Sequence, residues 1–278
     1  MTELDSSLAN GSAPADSTLA IQTRGLTRRF GDFTAVDHLD LEVEAGCFLG
    51  FLGANGAGKS TTIKMLTGLL ERSEGRARIL GHDLDGDSLE AKRQIGVVPE
   101  DLAIHDRLSG AEYLTFVGRM YGLASSTIHE RRDELLEWMG LDADPKKLIV
   151  DYSHGMKKKL ALAAALIHDP KMLFLDEPFE GIDVIASRQI RELLSGLMER
   201  GVTIFLTSHV LEIVEKLCTH VAIIHQGRLV AHGRLDEMRK GVMLEGEAEA
   251  AGPRTLEEIF LELVGADAGE VPTLSWLS

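Results

Sequence analysis

The chain has 278 residues, 44% of them hydrophobic and 26% charged, so it can bury a sizeable core. Its formal net charge is −15 and only 5% of its residues are aromatic, a balance that argues against a nucleic-acid-binding surface. The two cysteines, Cys47 and Cys218, lie far apart and form no CxxC motif, so neither a disulfide framework nor a zinc site is indicated. We therefore expect a cytosolic globular protein that does not bind nucleic acid.

Both ends of the chain differ in composition from its middle. Residues 1–20 are rich in Ser, Ala and Asp, and we expect them to form a disordered leader rather than a signal peptide. The longest apolar run, Leu160–Ile167, is far shorter than the ~20 residues that span a bilayer. Residues 241–278 form a strongly acidic tail with a predicted amphipathic helix over Thr255–Leu263. Its apolar face is predicted to carry Leu256, Ile259, Phe260 and Leu263.

Between these ends, apolar strands alternate with helices, which predicts an α/β fold with a mostly parallel sheet. The predicted strands are Thr34–Val43, Cys47–Leu52, Gln94–Val98, Met172–Leu175, Val202–Leu206 and Val221–Ile224. The predicted helices are Lys59–Leu70, Glu112–Tyr121, Thr127–Met139, Ser153–Ile167 and Ala186–Arg200. Three of these helices follow one another without a strand between them. The sequence therefore predicts an all-helical insertion over about residues 101–168 of the α/β core.

The clearest motif lies between the predicted strand Cys47–Leu52 and the helix that begins at Lys59. Its eight residues, GANGAGKS, fit the pattern GxxxxGK[ST] in the strand–loop–helix context that this pattern requires. The glycines let successive N–H groups face phosphate oxygens, and the helix N-terminus adds a positive dipole end. Lys59 can bring a full charge to the β and γ phosphates, and the Ser60 hydroxyl can ligate Mg²⁺. The predicted nucleotide-binding residues here are Gly53, Ala54, Asn55, Gly56, Ala57, Gly58, Lys59, Ser60 and Thr61.

A second motif ends the apolar strand at Met172–Leu175 with two carboxylates, Asp176 and Glu177. Ligands of parallel sheets bind at this carboxyl edge of the strands. Asp176 is therefore predicted as a partner of Mg²⁺, and Glu177 as the residue that polarises the attacking water.

In this order the motifs resemble those of the ATP-binding cassette (ABC) ATPases, and the resemblance covers residues 21–240. It implies a P-loop NTPase core with an N-terminal antiparallel β-subdomain and an all-helical inserted subdomain. The pentapeptide YSHGM at Tyr152–Met156 is similar to the family's signature LSGGQ, with matches at Ser153 and Gly155. The resemblance implies that the signature faces the ATP of a partner subunit. Its candidate residues are Ser153, His154, Gly155 and Met156.

The resemblance assigns roles to four further residues. Asp183 matches the loop that communicates between the two sites of the dimer, and His209 matches the switch histidine that contacts the γ phosphate. Phe30 falls where the family stacks an aromatic ring on adenine, with a core phenylalanine as the alternative. Glu100 stands where the family usually has Gln near Mg²⁺. Side chains predicted to be solvated or at the surface are Lys157–Lys159, His82, His105, His129, His168 and His220.

The resemblance implies an ATP- and Mg²⁺-dependent ATPase subunit of a bacterial exporter at the cytoplasmic face of the membrane. A second ABC ATPase subunit, identical or not, and a separate integral membrane subunit would be its partners. One alternative is a soluble ABC ATPase acting on nucleic acid or ribosomes, although no long coiled coil, zinc module or second cassette is visible. Another is a regulatory module without hydrolysis, against which Glu177 and His209 argue. A GTPase is disfavoured because no NKxD motif follows the phosphate loop.

Overall fold

The computed structural model describes residues 18–240 and 254–265. In chain order its strands are β1 (Leu19–Phe30), β2 (Phe33–Leu39), β3 (Glu42–Glu44), β4 (Phe48–Leu52), β5 (Glu74–Ile79), β6 (His82–Asp83), β7 (Ile95–Val98), β8 (Met172–Asp176), β9 (Thr203–Ser208), β10 (His220–His225) and β11 (Arg228–Arg234). Its helices are α1 (Lys59–Leu66), α2 (Ser88–Gln94), α3 (Gly110–Met120), α4 (Ser125–Met139), α5 (His154–Leu166), α6 (Val184–Glu199), α7 (Leu211–Leu217), α8 (Leu235–Lys240) and α9 (Leu256–Val264). The strands form two sheets.

The larger sheet has the order β11-β10-β4-β9-β8-β7 in the described part of the chain, and all its pairs except β10–β11 are parallel. The continuous apolar runs of β4 and β8 are buried on both faces, as expected for central parallel strands. Because side chains alternate across a strand, Leu173 and Leu175 pack against the helices, whereas Met172 and Phe174 pack toward the second sheet. The predicted α/β fold with a mostly parallel sheet is confirmed.

The second sheet is antiparallel, with the order β2-β1-β5-β6 and with β3 paired to β1. The N-terminal antiparallel β-subdomain is therefore confirmed. Strand β1 begins at Leu19, so the last two residues of the predicted leader belong to the sheet, and residues 1–17 lie outside the described part. The predicted strand Thr34–Val43 is two strands, because the pairing is interrupted at Asp40 and Leu41 between β2 and β3.

Helices α3, α4 and α5 occupy the predicted insertion and share one apolar core with the parallel sheet. Helix α5 packs against β7, and its residues Leu160 and Ala163 are fully buried beside sheet residues such as Leu173. The insertion is thus attached to the sheet through a helix that is apolar on almost every side. This packing brings the first turn of α5 close to the end of β8.

Helix α1 is shorter than predicted, for a visible reason. Helix α1 ends at Leu66 rather than Leu70, because Gly68 adopts a left-handed conformation with φ +66° and its N–H donates to Met65 O. Several short or polar elements have no counterpart among the strands and helices predicted from the sequence. These are β5, β6, α2, α7, β11 and α8.

Helix α9 lies within the acidic tail and packs against the rest of the fold. It begins with a capping box between Thr255 and Glu258, and the N–H of Leu256 donates to Glu215 Oε1 at 2.7 Å. Of the predicted apolar face, Leu256 and Ile259 are buried in the core and Phe260 packs against it partly buried, whereas Leu263, in the last turn of the helix, is exposed. Residues 241–253 and 266–278 of the predicted tail lie outside the described part. Within residues 18–240 and 254–265, no helix is long and apolar enough to cross a bilayer.

Candidate active site

The phosphate loop connects the carboxyl end of β4 to the start of α1. Gly58 is the N-cap of α1 and has φ +110°, which favours glycine. A Cβ atom would lie 2.5 Å from Ile224 O at Gly53 and 2.6 Å from Ala35 O at Gly58. Close backbone contacts therefore require glycine at both positions, and at Gly58 the backbone conformation requires it as well.

Lys59 lies inside the curve of this loop. Its ammonium donates to Gly53 O at 2.8 Å and to Ala54 O at 3.3 Å, and only 7% of the residue is exposed. Its Nζ atom is 3.9 Å from Glu177 Oε1. The loop thus places one buried positive charge beside the carboxylate that ends β8.

Asp176 and Glu177 are joined by a buried hydroxyl that the sequence analysis did not single out. The parallel register pairs Asp176 with Thr207 of β9, and Thr207 Oγ1 donates to Asp176 Oδ1 at 2.5 Å. The same hydroxyl accepts the N–H of Glu177 at 3.1 Å. Glu177 has φ +48°, an unusual left-handed conformation for a non-glycine residue. Thr207 therefore orders the carboxylate of Asp176 and the backbone of Glu177 at the edge of the sheet.

His209 and Glu100 complete this group of side chains. His209 follows β9, and its half-exposed ring places Nδ1 3.0 Å from Glu177 Oε2. The Ser60 hydroxyl donates to Glu100 Oε2 at 3.3 Å. The structure thus brings together Lys59, Glu177 and His209, which the sequence analysis predicted as catalytic residues, with the predicted metal ligands beside them.

A cavity of about 350 Å³ opens above the phosphate loop. Its lining includes most of the predicted nucleotide-binding residues, namely Phe30, Asn55, Gly56, Gly58, Lys59, Ser60 and Thr61. The predicted metal ligand Glu100 and the predicted catalytic residue Glu177 line it as well. Gly53, Ala54 and Ala57 lie behind this surface, where Ala57 O accepts the N–H of Gly227. A larger cleft of about 510 Å³, lined by Arg72 and Lys92, contains none of the predicted site residues.

The ring of Phe30 belongs to the cavity rather than to the core. It is 46% exposed, and the Arg28 guanidinium carbon lies 4.5 Å from its centroid. Phe33, a residue that the sequence analysis missed, lines the same cavity and is exposed. The cavity is therefore lined by two aromatic rings as well as by the phosphate loop.

The four signature residues lie at the start of α5 and do not line this cavity in the described part of the chain. Ser153 is the N-cap of α5, and its hydroxyl accepts the N–H of Met156 at 3.2 Å. Gly155 leaves open space around its Cβ position, while the His154 ring lies against Gly181. Ser153 and His154 are exposed. The structure thus separates the signature from the phosphate loop of the same chain.

Asp183 is the N-cap of α6. Its Oδ1 accepts the N–H groups of Ala186 at 2.9 Å and Ile185 at 3.0 Å, and these donors lower the pKa of the Asp183 carboxyl. The two residues that follow it, Val184 and Ile185, are exposed apolar side chains. Asp183 therefore shapes a turn that presents apolar surface to solvent.

The interpretation of Lys157–Lys159 as a solvated face is wrong for Lys158, which is only 3% exposed. Its ammonium donates to Glu177 O at 2.7 Å, and burial lowers the pKa of Lys158. The flanking lysines bond elsewhere: Lys157 Nζ is 3.0 Å from Asp106 Oδ1, and Lys159 Nζ donates to Met139 O at 3.0 Å. Helix α5 is apolar on most sides, so its middle lysine enters the interior.

The surface prediction is also wrong for His168, which is half-buried. Its ring stacks on Tyr121 with centroids 3.6 Å apart, and its Nε2 lies 3.0 Å from Ile95 O. Burial lowers the pKa of His168. His82 and His220 are also half-buried, whereas His105 and His129 are exposed. Among the described residues, no three His, Cys, Asp or Glu side chains form a metal-binding group.

A phosphate loop that opens a helix beside the carboxyl ends of parallel strands defines a P-loop nucleotide-binding protein. The family model described as ABC transporter matches residues 36–180. The chain is 40% identical over 223 residues to the bacitracin transport ATP-binding protein BcrA of Bacillus licheniformis, covering 79% of this chain and 71% of that protein. It is 38% identical over 225 residues to the daunorubicin/doxorubicin resistance ATP-binding protein DrrA of Streptomyces peucetius, covering 81% and 68%.

Among solved structures, an ATP-binding subunit of an ABC transporter superimposes with a TM-score of 0.79 at 30% identity, covering 88% of this chain and 99% of that one. The chain belongs to the ABC transporter family, as one of its ATP-binding and ATP-hydrolysing subunits. ATPase domains of this family bind ATP, dimerise and pair with membrane subunits in transporter complexes.

Proposed function

We propose that this chain is one half of an ATP-driven dimer that powers export through a separate membrane subunit. The observation that carries the proposal is the position of the Glu177 carboxylate, which lies between Lys59 at 3.9 Å and His209 at 3.0 Å. A carboxylate held between two such groups at the mouth of a phosphate-binding cavity is suited to activating a water that attacks a γ phosphate.

In this proposal, ATP occupies the cavity above the phosphate loop. Its adenine stacks on Phe30, whose other face is covered by Arg28. The phosphates accept N–H donors from the loop Gly53–Ser60 and from Thr61 at the start of α1. Lys59 exchanges its bonds to the loop carbonyls for bonds to the β and γ phosphates, so its charge is retained in the site.

Ser60, Asp176 and Glu100 are the residues proposed to hold Mg²⁺. All three offer the hard oxygen donors that Mg²⁺ prefers, and Ser60 already contacts Glu100 at 3.3 Å. Proteins usually bind Mg²⁺ through one or two carboxylates together with substrate phosphates, and this set of donors fits that pattern. When bound, the ion would supply positive charge that offsets the phosphate charge.

Glu177 acts as the general base in this mechanism. It accepts a proton from the attacking water, whose oxygen bonds to the γ phosphorus while the bond to the ADP oxygen breaks. The neighbouring His209 holds the carboxylate through Nδ1 and is half-exposed, so its ring can also reach the γ phosphate. The products are ADP and inorganic phosphate.

The second half of each site is proposed to come from a partner subunit, identical or not. Ser153, His154, Gly155 and Met156 begin a helix whose N-terminus is exposed, where a hydroxyl, N–H groups and the helix dipole favour an anion. Asp183 and the exposed Val184 and Ile185 would lie in the same interface. ATP binding would close the dimer, and hydrolysis would open it.

Export is the direction that the relatives support, since they are named for bacitracin transport and for daunorubicin and doxorubicin resistance. The membrane subunit would hold this chain at the cytoplasmic face of the membrane. A membrane protein that co-purifies from detergent would support this assignment. Co-purification with ribosomes or nucleic acid would instead identify a soluble ABC ATPase.

The proposal is tested by Glu177→Gln, which keeps the shape of the side chain but cannot accept the proton. We expect the variant to bind a fluorescent ATP analogue as the wild type does, with turnover reduced by about 10²–10⁴-fold. Glu180→Gln, which changes a neighbouring exposed carboxyl, serves as the matched control and should retain turnover. Hydrolysis at the wild-type rate by Glu177→Gln would remove Glu177 from the mechanism.

A further inference from the structure

Both backbone polar groups of Glu177 are held by side chains from other elements. Thr207 Oγ1 on β9 accepts its N–H at 3.1 Å, and Lys158 Nζ on α5 donates to its carbonyl at 2.7 Å. Glu177 itself has φ +48°, a conformation that a non-glycine residue keeps only when its surroundings enforce it. These two bonds therefore hold the peptide that carries the proposed base.

Lys158 is unusual for a lysine because it is only 3% exposed. The other buried residues of its helix are all apolar. Lysines are rarely buried to this extent unless they are paired. Burial lowers the pKa of Lys158, while the negative charges of four carboxylates oppose that effect: Glu180, Glu177, Glu100 and Asp176. The cation thus offsets the negative charge that collects around the end of β8.

The position of Lys158 on α5 also connects its bond to Glu177 with the proposed dimer interface. The helix begins at Ser153, and its first turn carries the signature residues proposed to face the ATP of a partner subunit. One turn further along, Lys158 reaches the peptide of Glu177 in its own subunit. A single helix therefore carries the proposed interface residues at its start and contacts the main chain of the base through Lys158.

We propose that Lys158 is a positioning residue for Glu177. Through its bond to the Glu177 carbonyl, Lys158 orients the base for hydrolysis when the start of α5 lies at the dimer interface. The inference rests on the proposed function, because it assigns Lys158 to the reaction in which Glu177 is the base. Lys158 does not touch the nucleotide in this account. It fixes the main-chain conformation of Glu177 and thereby the direction in which the Glu177 side chain points.

The expected consequence is a loss of turnover without a matching loss of ATP binding. In Lys158→Met the side chain keeps its length and apolar stem but loses both donor and charge. Misplacement of a catalytic group by about 1 Å can cost about 100-fold in rate, so we expect kcat to fall by about 10- to 100-fold. The affinity for ATP should change by less than about threefold, because the phosphate loop is intact.

The experiment compares full-length Lys158→Met, Lys158→Arg and Lys157→Met, and measures the rate of ATP hydrolysis per bound ATP together with the Kd for ATP. Lys157→Met removes the neighbouring lysine, which pairs with Asp106 and does not contact Glu177. We expect it to hydrolyse ATP as the wild type does. Lys158→Arg should recover a large part of kcat, because a guanidinium can donate to the same carbonyl.

Two results would overturn the inference. One is a kcat within twofold of the wild type in Lys158→Met. The other is a parallel loss of bound ATP and turnover that arginine does not rescue, which is the mark of a folding defect. Failure of the proposed function is recognised separately, because it requires Glu177→Gln to hydrolyse ATP normally. If Glu177→Gln is inactive while Lys158→Met is fully active, only the role of Lys158 is rejected.

Discussion

The phosphate loop of this chain and its signature helix are both proposed to bind ATP phosphates at a helix N-terminus, yet they are built differently. Lys59, beside the loop, is buried and bonded to loop carbonyls, and it adjoins a carboxylate that is bonded in turn to His209. At the signature, the Ser153 hydroxyl accepts the N–H of Met156 in the first turn of its own helix, and the exposed His154 ring lies against Gly181. In the part of the chain that the structure describes, the first half-site is preorganised, whereas the second presents an exposed helix N-terminus that we propose to face the ATP of a partner subunit.

This contrast has an electrostatic basis. A buried charge is tolerated only when it is paired or hydrogen-bonded, so the groups around Lys59 must be ordered before any ligand arrives. An exposed helix N-terminus has no such requirement, because water satisfies its donors. We therefore expect substitutions at the first half-site to act on the isolated chain, and those at the second to act only when two chains meet.

The largest expected effect within the preorganised half belongs to Lys59→Ala. The loop would lose its buried cation, and ATP affinity should fall by about 100-fold or more, as expected for removing one partner of a buried charge pair. Equilibrium binding of a fluorescent ATP analogue measures this. Lys64→Ala, an exposed lysine on the same helix, is the control. An unchanged affinity in Lys59→Ala would contradict the assignment of the loop.

A smaller effect is expected for Thr207→Val, which keeps the shape of the side chain and removes its hydroxyl. The N–H of Glu177 and one oxygen of Asp176 would lose a buried partner, at a cost of about 1–3 kcal/mol in the free energy of unfolding. Turnover should also fall by about 10-fold, because the base is less well oriented.

The matched control for Thr207→Val is Thr203→Val on the same strand, where the hydroxyl accepts the N–H of Gly46 away from the site. Thermal unfolding should show a loss of stability in both variants. Only Thr207→Val should lose turnover. Equal turnover in the two variants would show that the Thr207 hydroxyl is structural only.

The smallest effect is expected for Glu100→Gln. If Glu100 ligates Mg²⁺ beside Ser60, the loss of its charge should raise the Mg²⁺ concentration for half-maximal activity by a few-fold. Titration of ATPase activity with Mg²⁺ measures this, and Asp101→Asn, the adjacent exposed carboxyl, is the control. A lower ATP concentration for half-maximal activity at saturating Mg²⁺ would instead indicate that Glu100 repels the γ phosphate in the wild type. No change in either titration would exclude Glu100 from the site.

Within the preorganised half-site, residues differ in how far the sequence alone predicted them. The phosphate loop, Asp176 and Glu177 follow from local rules, since a buried apolar strand must end in a loop at one edge of the sheet. Thr207 was missed because its role comes from the register between β8 and β9, which pairs it with Asp176. A threonine in an apolar strand does not show, from the sequence alone, which residue its hydroxyl bonds.

Lys158 was predicted wrongly for a related reason. Three consecutive lysines suggest a solvated face, but successive residues of a helix point about 100° apart, so three of them cannot share one face. Because α5 is apolar on most sides, one of the three had to enter the interior. Tertiary packing against the end of β8, and not local pattern, decided which one and gave it Glu177 as a partner.

The central claim is that the exposed signature of one chain completes the preorganised half-site of another. It is tested most directly by the molar mass of Glu177→Gln, measured by light scattering after size exclusion at saturating ATP and Mg²⁺. The account predicts twice the chain mass of 30.3 kDa, and a return to the single-chain mass when Ser153→Arg is added. Glu177→Gln that binds ATP fully and remains at 30.3 kDa would contradict it.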